Sequence, residues 1–269
     1  MLFETELRVA LEAAAKAAEL IRVDYAAFVP IPDAPASIST ETDRNSQEII
    51  LRHLQSVFPN DAYCAEEATP ALHAAKKSGP RTWIVDPIDG TRGFAMKNGE
   101  FSVMIGLVAD GILAIGVVLE PVQQRVTYAS KDGGCWVIIQ NGTAKRCRVS
   151  TVKDLGASAL VQSHTKSPTE ASTPVKTIRP AKVIEMYSAG VKLALVARGE
   201  AELYVNIYSN FHDWDICAGH LLVTEAGGKV TALNGTEIGY CSPGYWQRGG
   251  LLATNGHVHD GAVRLLQAE

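Results

Sequence analysis

Four apolar segments joined by very short polar links constrain the fold more than any other feature of this sequence. Their links, such as Ala109-Asp110-Gly111, are made of turn-forming residues and are too short to contain a crossover helix. Strands joined in this way pair with antiparallel neighbours, so the sequence predicts an antiparallel sheet in the first half of the chain. The predicted strands are Phe101–Val108, Ile112–Leu119, Arg125–Ala129 and Cys135–Ile139.

The segments on either side of this sheet predict two different kinds of structure. Apolar stripes at helical spacing predict helices over Glu4–Arg22 and Arg44–Phe58, and strands are predicted over Asp61–Ala65 and Thr82–Val85. After about residue 150, helices and strands alternate, which indicates an α/β arrangement. We therefore expect an α+β half over 1–150 and an α/β half over 151–269. The later predicted elements are strands Ser158–Gln162, Ala201–Val205, Val230–Ala232 and Leu251–Thr254, and helices Ser188–Arg198, Asp215–Ala226 and His257–Leu266.

Composition excludes several classes of partner. Among 269 residues, 46% are hydrophobic and 20% charged, and the net charge is −4. The longest basic run is Lys76-Lys77, so we expect no binding of a nucleic-acid polymer. No apolar run has the length of a membrane span, and the N-terminal segment lacks the basic start and apolar core of a signal peptide.

The cysteines indicate a reducing environment. There are five of them, and none forms a C-x-x-C pair. This argues against both a disulfide framework and a structural zinc site. Free thiols suit the cytoplasm, which is the predicted location.

The string from Trp83 to Phe94 carries the strongest chemical signal. A predicted strand delivers Asp86 at its end, and Pro87 is expected to end the strand's hydrogen-bond ladder. Asp86 and Asp89 can then converge across a turn, with the Ile88 carbonyl between them free to act as a ligand. Oxygen ligands of this kind suit Mg²⁺ or Mn²⁺ rather than zinc.

The residues after this turn could bind an anion. Gly90 and Thr91 can present backbone N–H groups to a phosphate at the start of a helix. The alternative for Asp89 alone is that it caps this helix.

Three other acidic positions are ambiguous when each is considered separately. Glu66, beside Glu67, could simply be solvated at the end of a strand. Asp43 and Asp215 both lie at helix starts, where an Asp is usually a cap, and Asp213 competes with Asp215 for any special role.

Two long strings resemble the signature motifs of the inositol monophosphatase-like superfamily. They are WIVDPIDGTRGF at 83–94 and DWDICAGHLLVTEAGG at 213–228. The strings TETD, ending at Asp43, and AEE, containing Glu66, resemble the two lesser motifs of the family in the same order. The resemblance covers nearly the whole chain and implies a layered αβαβα sandwich.

The resemblance also implies a metal centre. By motif, Glu66, Asp86 and the Ile88 carbonyl would hold one Mg²⁺ ion. Asp86, Asp89 and Asp215 would hold a second ion, so that Asp86 bridges the two. The family pattern allows two or three ions, with Mn²⁺ as an alternative.

The same resemblance assigns roles in catalysis and substrate binding. Asp43 and Thr91 would position and deprotonate the attacking water, while Gly90, Thr91 and Asp215 would contact the substrate. The sequence shows no motif for a phosphorylated enzyme nucleophile, so direct transfer to water is expected. Inhibition by Li⁺ is also implied.

Finer features resemble the 3′(2′),5′-bisphosphate nucleotidase branch, whose members convert 3′-phosphoadenosine 5′-phosphate to AMP. A basic residue, Arg92, directly follows Thr91, and an N-G-E-F run follows at 98–101. Inositol monophosphatases usually have Asn before the Phe of this motif, where this chain has Gly93. The segments around His164 and Lys192 resemble those in which the branch contacts the nucleotide and a phosphate. Departures occur at Ala189 and Gly190, where the branch has Ser, and at Asn206, which replaces an Arg.

Alternatives remain open at this point. The second hypothesis is an inositol monophosphatase or a related sugar-phosphate phosphatase, and the third is a regulatory protein without activity. The third predicts loss of metal ligands, yet all four motif carboxylates are present. His164 could be a surface residue and Lys192 a solvated helix residue. The expected partner is a small phosphorylated molecule, and the protein is expected to be a monomer or a homodimer.

Overall fold

The fold is that of a computed structural model, which describes residues 3–165 and 170–267. The helices are α1 (Glu4–Ala27), α2 (Glu41–Val57), α3 (Pro70–Ala74), α4 (Thr91–Ala95), α5 (Thr173–Ile178), α6 (Ala189–Ala197), α7 (Asp213–Glu225) and α8 (His259–Gln267). The strands are β1 (Ala62–Ala65), β2 (Arg81–Asp89), β3 (Ser102–Ala109), β4 (Ile112–Glu120), β5 (Arg125–Ser130), β6 (Gly134–Ile139), β7 (Lys145–Arg146), β8 (Ala159–Gln162), β9 (Lys182–Glu185), β10 (Leu203–Asn206), β11 (Phe211–His212), β12 (Lys229–Thr231), β13 (Trp246–Gln247) and β14 (Leu251–Thr254).

The first sheet is almost entirely antiparallel, as predicted. Within the described residues it contains seven strands in the order β1 to β7, and only β1 and β2 run parallel. The expectation that Pro87 ends the ladder is wrong. Strand β2 continues to Asp89 because its register against β3 shifts between Asp86 and Asp89. This bulge accommodates the residue that cannot donate a backbone hydrogen bond.

The second sheet is mixed. Its strand order is β12-β14-β10-β8-β9, with β8 parallel to both β10 and β9 and with β14 antiparallel to β10 and β12. The carboxyl ends of β8 and β10 therefore meet at one edge, which in open α/β sheets is the usual edge for a ligand.

Alternating layers of helices and sheets confirm the predicted αβαβα sandwich. Helices α1 and α2 pack on the outer face of the first sheet, α6 and α7 lie between the two sheets, and α5 and α8 cover the second sheet. Helix α1 approaches its sheet through a stripe of small side chains, Ala10, Ala13, Ala14, Ala17 and Ala18, all of which are buried.

The predicted division into halves over 1–150 and 151–269 stays a prediction. Its ranges include residues 1, 2, 166–169, 268 and 269, which lie outside the described residues. In the described part, the first sheet ends at Arg146 and the second begins at Ala159. Helix α7 packs against strands of the first sheet, so the second half contributes directly to the core of the first.

Two helices begin earlier than the sequence predicts. Helix α2 starts at Glu41 and α7 at Asp213, because each begins with a capping box whose third helical residue is an aspartate. Short elements that the sequence did not predict include α3, α5 and β9. In the described residues, no helix combines the length and apolar content that crossing a membrane requires.

Candidate active site

Five acidic side chains from four separate segments are brought together beside the bulge of β2. Strand β2 supplies Asp86 and Asp89, and Glu66 follows β1, which pairs with β2. Asp43 and Asp215 come from the first turns of α2 and α7. All five interact electrostatically within one cluster.

Asp86 lies at the centre of this cluster. Its side chain is buried, and its Oδ1 accepts a hydrogen bond of 3.1 Å from the Ile88 N–H. Burial, and then the charges of Glu66, Asp89 and Asp215, raise the pKa of Asp86 well above its ordinary value. A carboxyl group in this environment holds its proton more tightly than usual, and a bound cation would compete with that proton.

Glu66 lies at the rim of the cluster. The residue has exposed surface, but its carboxyl group contacts that of Asp86 and lies in packed protein. Burial and the charges of Asp215 and Asp43 raise the pKa of Glu66 to about 8. Two carboxyl groups in contact can share one proton, which explains how the metal-free protein tolerates them.

Asp89 links the two halves of the chain. Its Oδ1 accepts from the Ala189 N–H at 3.0 Å, and its Oδ2 accepts from the Gly190 N–H at 2.7 Å and from the Ser188 hydroxyl. The Ser102 hydroxyl is 3.3 Å from the same Oδ2. Asp89 therefore binds the start of α6 rather than capping the helix that follows it, and Oδ1 retains a lone pair for another ligand.

Asp43 combines a structural contact with a contact to a candidate catalytic residue. Its Oδ2 accepts from the Thr40 N–H at 2.9 Å, which completes the capping box of α2. Its Oδ1 accepts from the Thr91 hydroxyl at 2.8 Å. Burial raises the pKa of Asp43, although the hydrogen bonds from Thr40 and Thr91 oppose this shift.

Asp215 occupies the same position in α7 that Asp43 occupies in α2. Its Oδ2 accepts from the His212 N–H at 2.5 Å. Burial raises the pKa of Asp215 to about 7, with a further contribution from Asp89. Its neighbour Asp213 instead accepts hydrogen bonds from the Cys241 N–H and from Gln247, at 2.7 Å each. These contacts join the start of α7 to β13 and to the segment at Cys241.

The Ile88 carbonyl is partly engaged. It lies 2.9 Å from the Thr91 hydroxyl, and its role as a metal ligand stays a prediction. A carbonyl oxygen has two lone pairs, and one remains available. The Thr91 hydroxyl has a single proton, for which the Ile88 carbonyl and Asp43 compete.

Gly90 has a conformation that other residues adopt with difficulty. Its φ is +87°, and a Cβ at this position would lie 2.7 Å from the Glu100 carbonyl oxygen. The tight approach lets α4 start directly after Asp89. The first N–H groups of a helix have no intrahelical partner, so those of Thr91 and the next residue are available to an anion.

Lys192 is buried rather than solvated. Its ammonium donates to the Ser163 hydroxyl at 2.9 Å and to the carbonyls of Met186 and Tyr187 at 3.0 and 3.2 Å. Burial lowers the pKa of Lys192 to about 8, while Asp89 and other acids oppose the shift. Contact with a phosphate stays a prediction for Lys192, because its three N–H groups already have protein acceptors.

His164 is held by acidic side chains. Its Nε2 lies 2.7 Å from Glu100 Oε2 and its Nδ1 lies 3.5 Å from Glu185 Oε2. Its ring packs on Tyr187, with centroids 4.2 Å apart. Its predicted contact with a nucleotide also stays a prediction.

The carboxylates form a set of oxygen donors suited to a hard divalent cation. Within residues 3–165 and 170–267, no three acidic, His or Cys side chains already stand at the distances of a closed metal cage. The acids instead repel one another and retain protons, as their raised pKa values show. Their chemistry therefore fits a cation that would replace those protons and draw the carboxylates together.

We expect the metal-free protein to lose stability as pH rises from 6.5 to 8. The folded pKa values of Asp215 and Glu66, about 7 and about 8, exceed the ordinary values of 3.8 and 4.5. In this window the folded state holds protons that the unfolded state has released, so the free energy of unfolding falls with pH. Lys192, whose pKa burial lowers to about 8, opposes this fall only near the upper end of the window, so the slope should be steepest near pH 6.5–7. His220 and His259, whose pKa values burial lowers to about 4, have already lost their protons.

Thermal unfolding in EDTA at several pH values measures this slope. Saturating Mg²⁺ should reduce it, and Asp215→Asn should reduce it without metal. A melting temperature that stays constant over the window would contradict the proposed proton sharing.

Sequence reasoning missed the residues that hold these acids in place. Ser102, Ser188 and Gly190 bind Asp89, and Gln47 fixes the segment beside Glu66 through hydrogen bonds to both the N–H and the carbonyl of Glu67. The Ser-Ala-Gly start of α6 is a recognisable N-cap signal. The hydrogen bonds to Asp89, about a hundred residues earlier in the chain, have no local signature.

The fold and the donor set together define a class of enzyme, the phosphatases that hold catalytic metals with carboxylates. Comparisons with known proteins agree. The family model described as "Inositol monophosphatase family" matches residues 3–269, and the chain belongs to this family. The superfamily predicted from the motifs is thereby confirmed, and the protein is a metal-dependent phosphoric monoester hydrolase.

Three similar proteins illustrate the range of relatives. The chain is 31% identical, over 85% of its length and 82% of the relative's, to "Fructose-1,6-bisphosphatase/inositol-1-monophosphatase" of Thermotoga maritima. It is also 31% identical to "3′(2′),5′-bisphosphate nucleotidase CysQ" of Buchnera aphidicola, over 75% of the chain and 73% of the relative. The solved structure of an inositol monophosphatase from Thermotoga maritima superposes with a TM-score of 0.81 at 26% identity, covering 98% and 97% of the two chains.

Proposed function

We propose that this protein is a Mg²⁺-dependent 3′(2′),5′-bisphosphate nucleotidase, which removes the 3′(2′)-phosphate from a substrate such as 3′-phosphoadenosine 5′-phosphate to give AMP. The observation that carries the proposal is that Lys192 connects the carboxylate cluster to a cavity. Its ammonium interacts with Asp89 and donates to Ser163, which lines the cavity.

This cavity could accommodate the nucleoside. It measures about 360 Å³ and lies at the carboxyl ends of β8 and β10. Its wall includes His164, Asn206 and the exposed side chain of Tyr208. A larger cavity of about 670 Å³ lies between α1 and strands β5 and β6. None of the cluster's carboxylates lines either cavity, but only the smaller one has in its wall a partner of Lys192, Ser163.

We assign the metal-binding role to Glu66, Asp86, the Ile88 carbonyl, Asp89 and Asp215. Two or three Mg²⁺ ions, with Mn²⁺ as a substitute, would neutralise charge on the phosphoryl oxygens and lower the pKa of the attacking water. The N–H groups of Gly90 and Thr91 would bind the phosphoryl oxygens.

Asp43 and Thr91 form the proposed route for the proton. When the Thr91 hydroxyl donates to Asp43 at 2.8 Å, its oxygen is free to accept a hydrogen bond from water. The water is then oriented by Thr91, and its proton can move towards Asp43. The raised pKa of Asp43 makes it a better base near neutral pH than an ordinary aspartate.

A second candidate function is hydrolysis of inositol phosphates or other sugar phosphates. Relatives named for those activities, such as "Inositol monophosphatase 2" of Solanum lycopersicum, are as similar to the chain as the nucleotidases are. The chain also has Asn206 where the nucleotidase branch has an Arg.

A substrate panel tests the proposed activity. With Mg²⁺ present, we expect kcat/KM for 3′-phosphoadenosine 5′-phosphate to exceed that for inositol 1-phosphate and fructose 1,6-bisphosphate by at least about tenfold, a preference of about 1.4 kcal/mol. Li⁺ should inhibit all three reactions. A preference for either sugar phosphate would favour the second candidate.

We also propose a cytoplasmic location, which the free state of the five cysteines supports.

A further inference from the structure

Arg92 differs from the other partly buried arginines of the described chain. Arg81, Arg125 and Arg198 each bind carboxylates at 3.1 Å or less. The Nε of Arg92 is buried without a hydrogen-bond partner, and its one recorded contact in residues 3–165 and 170–267 is with the Tyr187 ring, 5.2 Å from the centroid. A guanidinium beside an active site with its donors unused is a candidate anion ligand.

The position of Arg92 relates it to the reacting groups. It follows Thr91, whose hydroxyl contacts Asp43 and the Ile88 carbonyl. Its ring partner Tyr187 precedes Ser188, whose hydroxyl binds Asp89. Arg92 therefore connects, through Tyr187, the two segments that position the cluster.

The surroundings of Tyr187 fix this arrangement. The Tyr187 ring also packs on His164, at a centroid distance of 4.2 Å, and the Tyr187 N–H donates to Glu100 at 3.1 Å. Glu100 also binds His164, so the ring is anchored from two sides. Arg92 can thus lie on a fixed aromatic surface without an ion pair to neutralise its charge.

Lys192, the cation that the sequence favoured, is less available. Its three N–H groups are all directed at protein oxygens, as described above. A phosphate could bind it only by displacing one of these acceptors. Arg92 has five N–H donors, and within the described part of the chain none of them has a hydrogen-bond partner.

We propose that Arg92 binds the second phosphate of the bisphosphate substrate, the one that is not hydrolysed, and so determines the preference for bisphosphates over monophosphates. The inference rests on the proposed nucleotidase function. A planar guanidinium can bind two phosphate oxygens at once, whereas the acidic cluster would repel this group. Lys192 then holds the Met186–Tyr187 segment in place.

The test compares 3′-phosphoadenosine 5′-phosphate, the bisphosphate, with adenosine 3′-monophosphate, which lacks only the second phosphate. Arg92→Met should lower kcat/KM for the bisphosphate on the order of 10- to 100-fold, mainly through KM, as expected for the loss of one or two charge-assisted hydrogen bonds. For the monophosphate the change should stay within about twofold. Arg92→Lys should restore part of the loss, and product inhibition by AMP should weaken in Arg92→Met.

Arg44→Met is the matched control. It removes a positive charge of the same type beside Asp43, but Arg44 is exposed and paired with Glu41 at 2.7 Å. It should leave the ratio between the two substrates unchanged. Because the Arg92 side chain makes no hydrogen bond to residues 3–165 or 170–267, Arg92→Met should fold, and its melting temperature verifies this.

Two results would overturn the inference in different ways. Equal losses for both nucleotides in Arg92→Met, with a wild-type protein that prefers the bisphosphate, would leave the nucleotidase function intact and make Arg92 structural. A wild-type protein without preference for the bisphosphate would overturn the proposed function, and the inference with it.

Discussion

Replacing Asp86 by asparagine should lower kcat more than about 10³-fold. Removing one hydrogen-bond donor to a developing oxyanion usually lowers kcat by about 10²–10³-fold, and the loss of a ligand shared by two metals should have a larger effect. Asp86 is the proposed bridge between the metals, and a neutral amide cannot accept two cations as a carboxylate does. The same change should stabilise the metal-free protein above neutral pH. A buried acid with a raised pKa destabilises the fold when it ionises, and Asn removes that charge. Steady-state kinetics with Mg²⁺ and thermal unfolding in EDTA at pH 8 measure the two effects.

Asp213→Asn is the control for this prediction. Asp213 lies two residues before Asp215 on α7, but its hydrogen bonds go to Cys241 and Gln247. We expect this variant to lose some stability and keep its turnover. Near wild-type turnover in Asp86→Asn would show that the proposed metal site is wrong.

The second large effect is expected at Asp43, where Asn and Ala should both lower kcat by about 10²–10⁴-fold. Asn is the sharper variant because its amide oxygen can still accept from the Thr40 N–H and preserve the cap. Its NH₂ group then faces Thr91 and reverses the direction of that hydrogen bond. The proposed proton acceptor is lost while the helix start is kept, so kcat should fall far more than KM rises.

Thr40→Ala separates capping from catalysis in the opposite way. It removes a capping side chain and should cost about 0.5–2 kcal/mol of stability. The Thr40 hydroxyl also donates to Asp43 Oδ2 at 2.5 Å, so its loss should raise the pKa of Asp43 further. The contact of Asp43 Oδ1 with Thr91 is kept, so kcat should fall far less than in Asp43→Asn. If Asp43→Asn kept wild-type kcat, Asp43 would be reduced to a helix cap.

The sequence predicted the parts of this structure that depend on local patterns. Short turns gave the antiparallel sheet, and the motif around Asp86 and Asp89 identified the family. The bulge that carries β2 past Pro87 was not predicted, because it depends on pairing with β3. The early starts of α2 and α7 were missed because the aspartate at the third helical position was interpreted as preceding the helix in α2 and as its first residue in α7.

Contacts between distant segments were the least predictable part of the site. The local sequence around Lys192 is typical of a surface position on a helix. Helix α6 is nevertheless buried between two sheets, and the Lys192 ammonium donates its three hydrogen bonds to neighbouring oxygens. Arg92 is distinguished by having no ion pair among the described residues. No pattern in the sequence could indicate this, because it depends on the positions of acidic side chains from distant segments.

The hydrogen bonds from the start of α6 to Asp89 have a consequence for folding. They join residues 89 and 188–190, so the site depends on contacts of high sequence separation, which form only after a costly loop closure. A nascent chain that ends near residue 150 would already carry Glu66, Asp86 and Asp89. It would lack Asp215 and the groups of α6 that bind Asp89, and of the Asp89 partners named above only Ser102 would be present. Metal affinity should therefore emerge late, only when the second half has docked, so that incompletely folded chains compete poorly for the ion.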